Sequence, residues 1–276
     1  MKRFKWMWIS VFLSITLLTA CSGNTITEED SAEGSTDEAE EEIPPAEETE
    51  WSYTGETGPD QWDTLHPEYL TCAEGQEQSP IDIDLAKVKL DETLNDIEIN
   101  YQPTAFTLEN TGHTIQLNDP TGSNTIIVEG EEYSVQQLHF HIPSENAIDG
   151  QFFDMEGHIV HNNENGDLAV LGFMIEAGEE NKTLAEAWSK MPEEKTEEDV
   201  ELDNLINLHD LLPEDLTTFR FSGSLTTPPC TEGVNWLLLE EPISYSQEQI
   251  DTFGEIFSPH NHRTPQPLND REVHTH

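Results

Sequence analysis

Short strand-like segments separated by turn residues fill the chain from Trp51 onward, and this pattern limits the possible folds more than any other feature. Motifs such as Asn110-Thr-Gly and Glu129-Gly mark turns between runs with strand periodicity, and helical patterns are sparser. We predict a β-dominated α+β fold, a single domain around a large, mostly antiparallel central β-sheet with short peripheral helices. The predicted strands include Tyr133–His141, Met155–His161, Leu168–Ile175 and Asn235–Leu239, and the predicted helices are Thr183–Ser189, Asp199–His209 and Ser246–Ile256, with Thr183 and Ser246 as N-caps.

The first twenty residues have the features of an export signal. A basic start leads into an apolar run from Trp6 to Leu18, which is too short for a comfortable transmembrane helix. We predict that residues 1–20 are a signal peptide. Its end, Leu18-Thr19-Ala20-Cys21, resembles the bacterial lipobox, which implies that Cys21 is a lipid anchor on the extracytoplasmic side of a bacterial envelope. An ordinary cleaved signal with an incidental cysteine is the alternative.

The segment after the leader is strongly acidic. Residues 22–50 contain twelve acidic residues and no Lys or Arg. Such a segment cannot bury enough apolar surface to fold, and its self-repulsion extends it. We therefore predict that residues 21–50 are a lipidated cysteine plus a disordered linker, and that residues 51–276 are the folded domain.

The charge of the whole chain is unbalanced, with 57 Asp and Glu against 11 Lys and Arg and a formal net charge of −46. Nucleic-acid binding requires a basic face and is therefore excluded. Attraction to anionic lipid headgroups is disfavoured for the same reason. Two explanations remain open: solubility through surface charge, or adaptation to high salt, which screens self-repulsion.

Export leaves two cysteines in the mature chain, Cys72 and Cys230. In an oxidising compartment a pair of this kind usually forms a disulfide, and two buried free thiols are the alternative. A disulfide closing so long a loop stabilises the fold by about 4–5 kcal/mol on the chain-entropy model.

Two histidines at strand spacing, His139 and His141, are the most informative local motif. Residues two apart on a strand face the same side, so both imidazoles point to one place, and a neighbouring strand can supply His158. Three histidines with an open fourth position form a typical catalytic zinc site. Gln137 and Glu156, each two residues before a histidine, can hold the imidazoles by hydrogen bonds. A partly buried, hydrogen-bonded pair without metal is the alternative.

Several motifs together resemble the α-class carbonic anhydrases. The resemblance covers residues 51–271 and implies that residues 51–276 are the catalytic domain of a zinc enzyme. The implied reaction is the reversible hydration of carbon dioxide to bicarbonate and a proton by zinc-bound hydroxide. The matching stretches are Gln78-Ser-Pro-Ile-Asp82, Asn110-Thr-Gly-His113, Gln137–His141, Ser144-Glu145, Met155–His161, Leu168-Ala-Val-Leu-Gly172, Gly223-Ser-Leu-Thr-Thr-Pro-Pro-Cys230 and Gln266-Pro-Leu-Asn269.

The resemblance also implies a role for each matching residue. Thr226 is expected to bond the zinc-bound hydroxide, and Glu145 to accept the threonine's proton. His113 is expected to be the proton shuttle. The alternative is that His113 is a solvent-exposed surface histidine without a function. Thr111 and Asn146 depart from the usual family pattern close to the site. The other implied assignments are zinc ligands at His139, His141 and His158, an apolar carbon dioxide pocket at Val160, Val170, Leu225 and Trp236 beside Thr227, ligand-orienting groups at Gln137, Glu156 and Asn261, and a Cys72–Cys230 disulfide that braces the Thr-Thr-Pro-Pro loop.

A second function class shares this fold: zinc-free carbonic-anhydrase-like modules that act in surface adhesion. Such relatives typically lack one or more of the ligand histidines. Because all three histidines, Thr226 and Glu145 are present here, the sequence favours the enzyme. Oligomeric state has no signature in the sequence.

Overall fold

The computed structural model describes residues 50–276, and the predicted signal peptide, Cys21 and the acidic linker before Glu50 lie outside the described residues. The strands are β1 (Asp82–Ile83), β2 (Lys89–Leu90), β3 (Glu98–Asn100), β4 (Thr107–Asn110), β5 (Ile115–Asn118), β6 (Thr125–Val128), β7 (Glu131–His141), β8 (Ala147–Ile148), β9 (Met155–Asn162), β10 (Leu168–Ala177), β11 (Val200–Glu201), β12 (Thr218–Ser224), β13 (Glu232–Leu239), β14 (Ile243–Tyr245) and β15 (His274–Thr275). The helices are α1 (Trp62–Leu65), α2 (Thr71–Glu74), α3 (Ala185–Ser189) and α4 (Gln247–Ile256), with 3₁₀ turns at Gly55–Thr57, Pro59–Gln61, Pro67–Tyr69 and Leu208–Leu211.

One large sheet dominates the domain, and within residues 50–276 it contains thirteen strands, in the main order β11-β4-β5-β7-β9-β10-β13-β12-β15-β2. Strands β10 and β13 are parallel, as are β10 and β14 and β15 and β2. The sheet is therefore mixed, which corrects the prediction of a mostly antiparallel sheet. Strand β13 lies between β10 and β12, and it runs parallel to β10 and antiparallel to β12. Apolar periodicity cannot predict this direction, because it is the same for parallel and antiparallel neighbours.

The helices are few and short, as predicted, but one of the three predicted helices is absent. Asp199–His209 contains strand β11 and the start of a 3₁₀ turn, so that prediction is wrong. Helix α4 begins after Ser246, whose hydroxyl accepts a hydrogen bond from the Gln249 amide in a complete capping box. Helix α3 begins after Leu184 rather than Thr183. None of the helices within residues 50–276 is both long and apolar enough to cross a lipid bilayer.

Two apolar clusters lie on opposite faces of the central strands. On β9, Ile159 belongs to the larger cluster, which includes aromatic side chains from α3 and α4, while Val160 belongs to a smaller cluster with Val170 and Trp236. Consequently β9 is buried on both faces over almost its whole length. Polar side chains on this strand are thus taken out of water and must find partners inside the protein.

Candidate active site

The three histidines predicted to hold a metal come together on two neighbouring strands. Strands β7 and β9 are antiparallel, and His139 lies directly opposite His158 in their register. His141 lies two residues further along β7, on the same face as His139. One ring nitrogen of each histidine lies within 4.8 Å of the others. The prediction that a neighbouring strand supplies the third imidazole is confirmed.

A hydrogen-bond acceptor holds the other nitrogen of each ring. His139 Nδ1 lies 2.8 Å from Gln137 Oε1, and His141 Nδ1 lies 2.7 Å from the carbonyl oxygen of Asn261. His158 Nε2 lies 2.9 Å from Glu156 Oε1. Since all three partners are acceptors, these nitrogens donate, and a lone pair remains on each opposite nitrogen.

The surroundings keep His139 and His141 neutral, as metal binding requires. Burial, reinforced by the charge of His158, holds the pKa of His139 well below its ordinary value. The pKa of His141 is likewise well below its ordinary value because of burial and the charges of His158 and His139. Deprotonated imidazole is therefore the resting form around neutral pH.

Glu156 is a fully buried carboxylate whose oxygens are both occupied. Its Oε2 accepts hydrogen bonds from the backbone amides of Glu145 (2.8 Å) and Asn146 (2.7 Å). Its Oε1 accepts from Asn146 Nδ2 at 2.7 Å and faces His158. Although burial alone raises the pKa of Glu156, the charge of His158 and these hydrogen bonds outweigh it and lower the pKa. Glu156 is therefore held as an anion against the His158 ring.

Asn146 is a residue whose role sequence reasoning missed. Besides its bonds to Glu156, its Oδ1 accepts a hydrogen bond from the Ile81 amide at 2.9 Å. The side chain thus joins the residue just before β1 to the carboxylate that holds His158. Its position after Glu145 was a visible departure from the family pattern, but its partners come from distant parts of the chain.

Glu145 is completely buried, and only one of its two carboxylate oxygens has a regular hydrogen bond. Its Oε1 accepts a hydrogen bond from the backbone amide of Arg263 at 2.8 Å. Its Oε2 makes no hydrogen bond of regular geometry within residues 50–276, and it lies 3.4 Å from His141 Nε2, which likewise makes none. Burial raises the pKa of Glu145 to about 7, with opposing contributions from His158, the Thr226 hydroxyl and the Arg263 amide and a smaller rise from Glu156.

A cavity of about 150 Å³ lies against the histidines, and its lining includes His139, His141, His113 and Thr227. Beside the site, Val160, Val170 and Trp236 are register partners across β9, β10 and β13, and Leu225 packs against the same apolar cluster. The Trp236 ring lies 4.9 Å from the His158 ring, between centroids. The structure therefore places Trp236 next to His158, with the other three predicted apolar residues in the same cluster as Trp236.

His113 lies on the turn between β4 and β5, at the outer side of this cavity. Gly112 takes φ +87°, a conformation that favours glycine, and Thr111 Oγ1 accepts hydrogen bonds from the amides of His113 and Thr114. Thr111, which departs from the family pattern, therefore builds the turn that carries His113. The Trp51 ring stacks on His113 with centroids 3.7 Å apart and planes inclined by 10°. Burial chiefly lowers the pKa of His113, with Lys195 adding to the shift and Glu50 opposing it.

The predicted disulfide between Cys72 and Cys230 is present and confirmed. Arg263 connects it to the site, because its guanidinium donates to the Cys72 carbonyl oxygen at 2.7 Å while its backbone amide holds Glu145. Gln78 Nε2 also donates to the Cys230 carbonyl oxygen. The bridge thus belongs to the same hydrogen-bonded framework as the buried Glu145.

Comparison with known proteins identifies the family. The family model described as eukaryotic-type carbonic anhydrase matches residues 57–276. The chain belongs to the α-carbonic anhydrase family. The resemblance inferred from the sequence and the prediction of a carbonic anhydrase are thereby confirmed.

The relatives match over nearly the whole described domain. A carbonic anhydrase of Neisseria gonorrhoeae is 44% identical over 225 residues, covering 82% of this chain and 87% of that protein. One from Klebsiella pneumoniae is also 44% identical, over 81% of this chain and 89% of its own length. The α-carbonic anhydrase of Thermovibrio ammonificans, solved with the inhibitor sulfanilamide, superposes with a TM-score of 0.79 at 40% identity, covering 82% of this chain and 98% of that chain.

The α-carbonic anhydrases are zinc enzymes, and the residues of this chain fit zinc. Three imidazoles, each with one ring nitrogen left free by the hydrogen bond of the other, are a donor set that zinc prefers. The buried, unpartnered His141 Nε2 and Glu145 Oε2 mark a place where a polar partner is needed, because buried polar atoms without partners are costly.

Proposed function

We propose that this protein catalyses the reversible hydration of carbon dioxide to bicarbonate and a proton, with zinc held by His139, His141 and His158. The observation that carries the proposal is the convergence of three imidazoles from β7 and β9, in a chain of the α-carbonic anhydrase family. When bound, zinc supplies a nucleophile at neutral pH by lowering the pKa of a coordinated water, an effect for which carbonic anhydrase is the standard example.

Gln137, Glu156 and the Asn261 carbonyl group orient the ligands. Each accepts a hydrogen bond from one imidazole, fixing its tautomer and the direction of its free lone pair. Glu156 differs from the other two because it adds a full negative charge beside His158. Asn146 keeps that charge ionised and in place.

Glu145 and Thr226 orient the attacking oxygen. The Arg263 amide donates to Glu145 Oε1, so Oε2 is free to accept a hydrogen bond from the Thr226 hydroxyl. A threonine that donates to Glu145 can offer only lone pairs to the reacting oxygen, which selects one orientation for attack. A +2 ion at the histidines favours the ionised form of Glu145 that this role needs.

The substrate is small and apolar, and Val160, Val170, Leu225 and Trp236 provide an apolar wall for it beside Thr227. Each turnover in the hydration direction also releases a proton. His113 accepts it, because its lowered pKa leaves the ring neutral at pH 7 and it lines the same cavity as two of the ligand histidines.

The decisive experiment compares zinc-stripped and zinc-restored protein in a stopped-flow hydration assay. We expect activity only with zinc, and loss of both zinc and activity in His139→Ala, since one of three ligands is removed. His209→Ala, an exposed histidine on a 3₁₀ turn, is the matched control and retains both. Full hydration by metal-free protein refutes the mechanism, and a folded protein that stays inactive with zinc supports the adhesion-module alternative.

We further propose that the enzyme is exported and anchored through Cys21, with residues 1–20 as signal peptide and residues 22–50 as linker. The basic and apolar leader, the lipobox-like ending and a disulfide of the kind found in exported proteins support this. Cys21→Ala should move the protein from the membrane fraction to the soluble fraction and abolish incorporation of labelled fatty acid. Unchanged membrane association in that variant contradicts the anchor.

We also propose that the acidic surface is an adaptation to salt. Most of the lysines in the described domain already pair with carboxylates, as Lys87 does with Asp84 and Lys190 with Glu186, so the excess negative charge has few cations to balance it. Salt screens this repulsion and should raise the melting temperature of the protein up to molar concentrations. A variant with surface glutamates changed to glutamine should lose that dependence; equal salt responses refute the proposal.

A further inference from the structure

A second cavity, of about 510 Å³, lies on the outer side of His113. Residues from three parts of the chain line it, among them Trp51, Tyr53, Lys195 and His260. His113, Trp51 and Tyr53 also line the smaller cavity that contains His139 and His141. These three residues therefore separate the candidate metal site from the outer cavity, and a proton carried by His113 arrives at the outer cavity.

His260 is the second imidazole in this outer cavity, and its backbone is held in place by the next residue. Asn261 Nδ2 donates to the carbonyl oxygens of His113 and Phe140, both at 3.0 Å, and its Oδ1 accepts from the Ile142 amide. The His260 ring stacks on His262, with centroids 4.6 Å apart and planes inclined by 23°. His260 is thus fixed at the cavity wall by the same residue that binds the backbone of His113.

The other titratable groups around this cavity are poor proton acceptors at neutral pH. Burial and, to a smaller extent, Glu145 raise the pKa of Tyr53 well above its ordinary value, and Lys195 pairs with Glu50 at 3.3 Å. His262, behind His260, has its pKa lowered to about 4 by burial and by His260, and it stacks on Phe152. Among the described residues that line this cavity, His113 and His260 carry the two imidazoles.

We propose that His260 is a second proton-relay residue, which takes the proton from His113 through water in the outer cavity and passes it to buffer. This inference rests on the proposed function. In the transfer, the N–H bond of the His113 imidazolium breaks, a proton moves along the water, and an N–H bond forms on neutral His260. Release to a buffer base then returns His260 to its neutral form, so no net charge accumulates.

The test is ¹⁸O exchange between carbon dioxide and water in weak buffer, because this method gives the interconversion rate and the proton-transfer rate separately. We expect His260→Ala to lower the proton-transfer rate by about threefold to tenfold, less than the roughly 10²–10⁴-fold effect of a positioned acid–base group, since direct exit from His113 remains. The interconversion rate should stay unchanged, and imidazole should restore proton transfer. The control is His209→Ala.

Two further measurements keep the result interpretable. His260→Gln, which fills the same space but does not titrate near pH 7, should reproduce the defect if His260→Ala fails to fold. In the zinc-loaded protein, loss of His260 should raise the pKa of His113 measured by NMR, because two protonated imidazoles that line one cavity repel each other. If His260→Ala changes neither the proton-transfer rate nor the titration of His113, the relay is overturned. If the parent protein with zinc shows neither interconversion nor proton transfer, the proposed function itself is refuted.

Discussion

The role of Glu156 gives the sharpest prediction, because Glu156→Gln changes one oxygen to an amide group at nearly constant shape. In the parent protein every group facing this carboxylate is a donor: the amides of Glu145 and Asn146 on one oxygen, and Asn146 Nδ2 and His158 on the other. A glutamine side chain must therefore turn its NH₂ group toward donors. The substitution removes both a charge and at least one pair of hydrogen bonds.

Both losses can be given a magnitude. A buried donor left without an acceptor costs about 1–3 kcal/mol, so the loss of one pair costs about 2–6 kcal/mol and should lower the melting temperature of this domain by about 4–24 °C. Removing the acceptor that holds His158 should weaken zinc binding by about 10–100-fold, the range typical of such partners in metalloproteins, carbonic anhydrases among them.

Zinc affinity is measured by competition with a colorimetric chelator, and folding by circular dichroism on the same samples. Glu98→Gln, an exposed glutamate on β3, is the control and should change neither quantity. Zinc affinity in Glu156→Gln within twofold of the parent value refutes the argument that Glu156 orients His158.

Three other perturbations test the framework around the site. Asn146→Ala should destabilise the fold by about 3 kcal/mol in urea unfolding, because it leaves the Ile81 amide and Glu156 short of partners; a change below 0.5 kcal/mol contradicts this. Replacing both Cys72 and Cys230 by alanine removes a link between residues separated by 158 positions, and it should lower the free energy of unfolding by about 5 kcal/mol on the chain-entropy model. An unchanged melting temperature contradicts this prediction. Burial lowers the pKa of His161 to about 4, so the unfolded chain binds more protons between pH 6.5 and 4 and about 3 kcal/mol of stability is lost as the pH falls through that range. His161→Gln should flatten this dependence, and an identical pH profile refutes the assignment.

The sequence was most informative where a contact depends on residues close together in the chain. The His-x-His spacing of His139 and His141 follows from the geometry of a single strand, and Gln137 reaches His139 because both lie on the same face of β7. The capping box of Ser246 and Gln249 is likewise local. Such features could be predicted without knowing the fold, because the backbone of one element fixes the distances.

Prediction failed where the result depended on what a segment packs against. Asp199–His209 has the apolar spacing of a helix, yet Val200 and Glu201 pair with β4, and a segment this short takes the structure its neighbours impose. The parallel pairing of β10 with β13 was equally hidden, since a buried strand has the same pattern beside either kind of neighbour.

The sequence by itself therefore determined the β-rich domain, the two histidines on β7 and, through family motifs, the residues to examine around them. Only the tertiary structure decided that His158 stands opposite His139, that Asn146 holds Glu156, and that the amide of Arg263, 118 residues away along the chain, binds Glu145. The physical reason is that buried polar groups must be satisfied by whichever segments surround them, and those segments are brought together only when the sheet closes around the site.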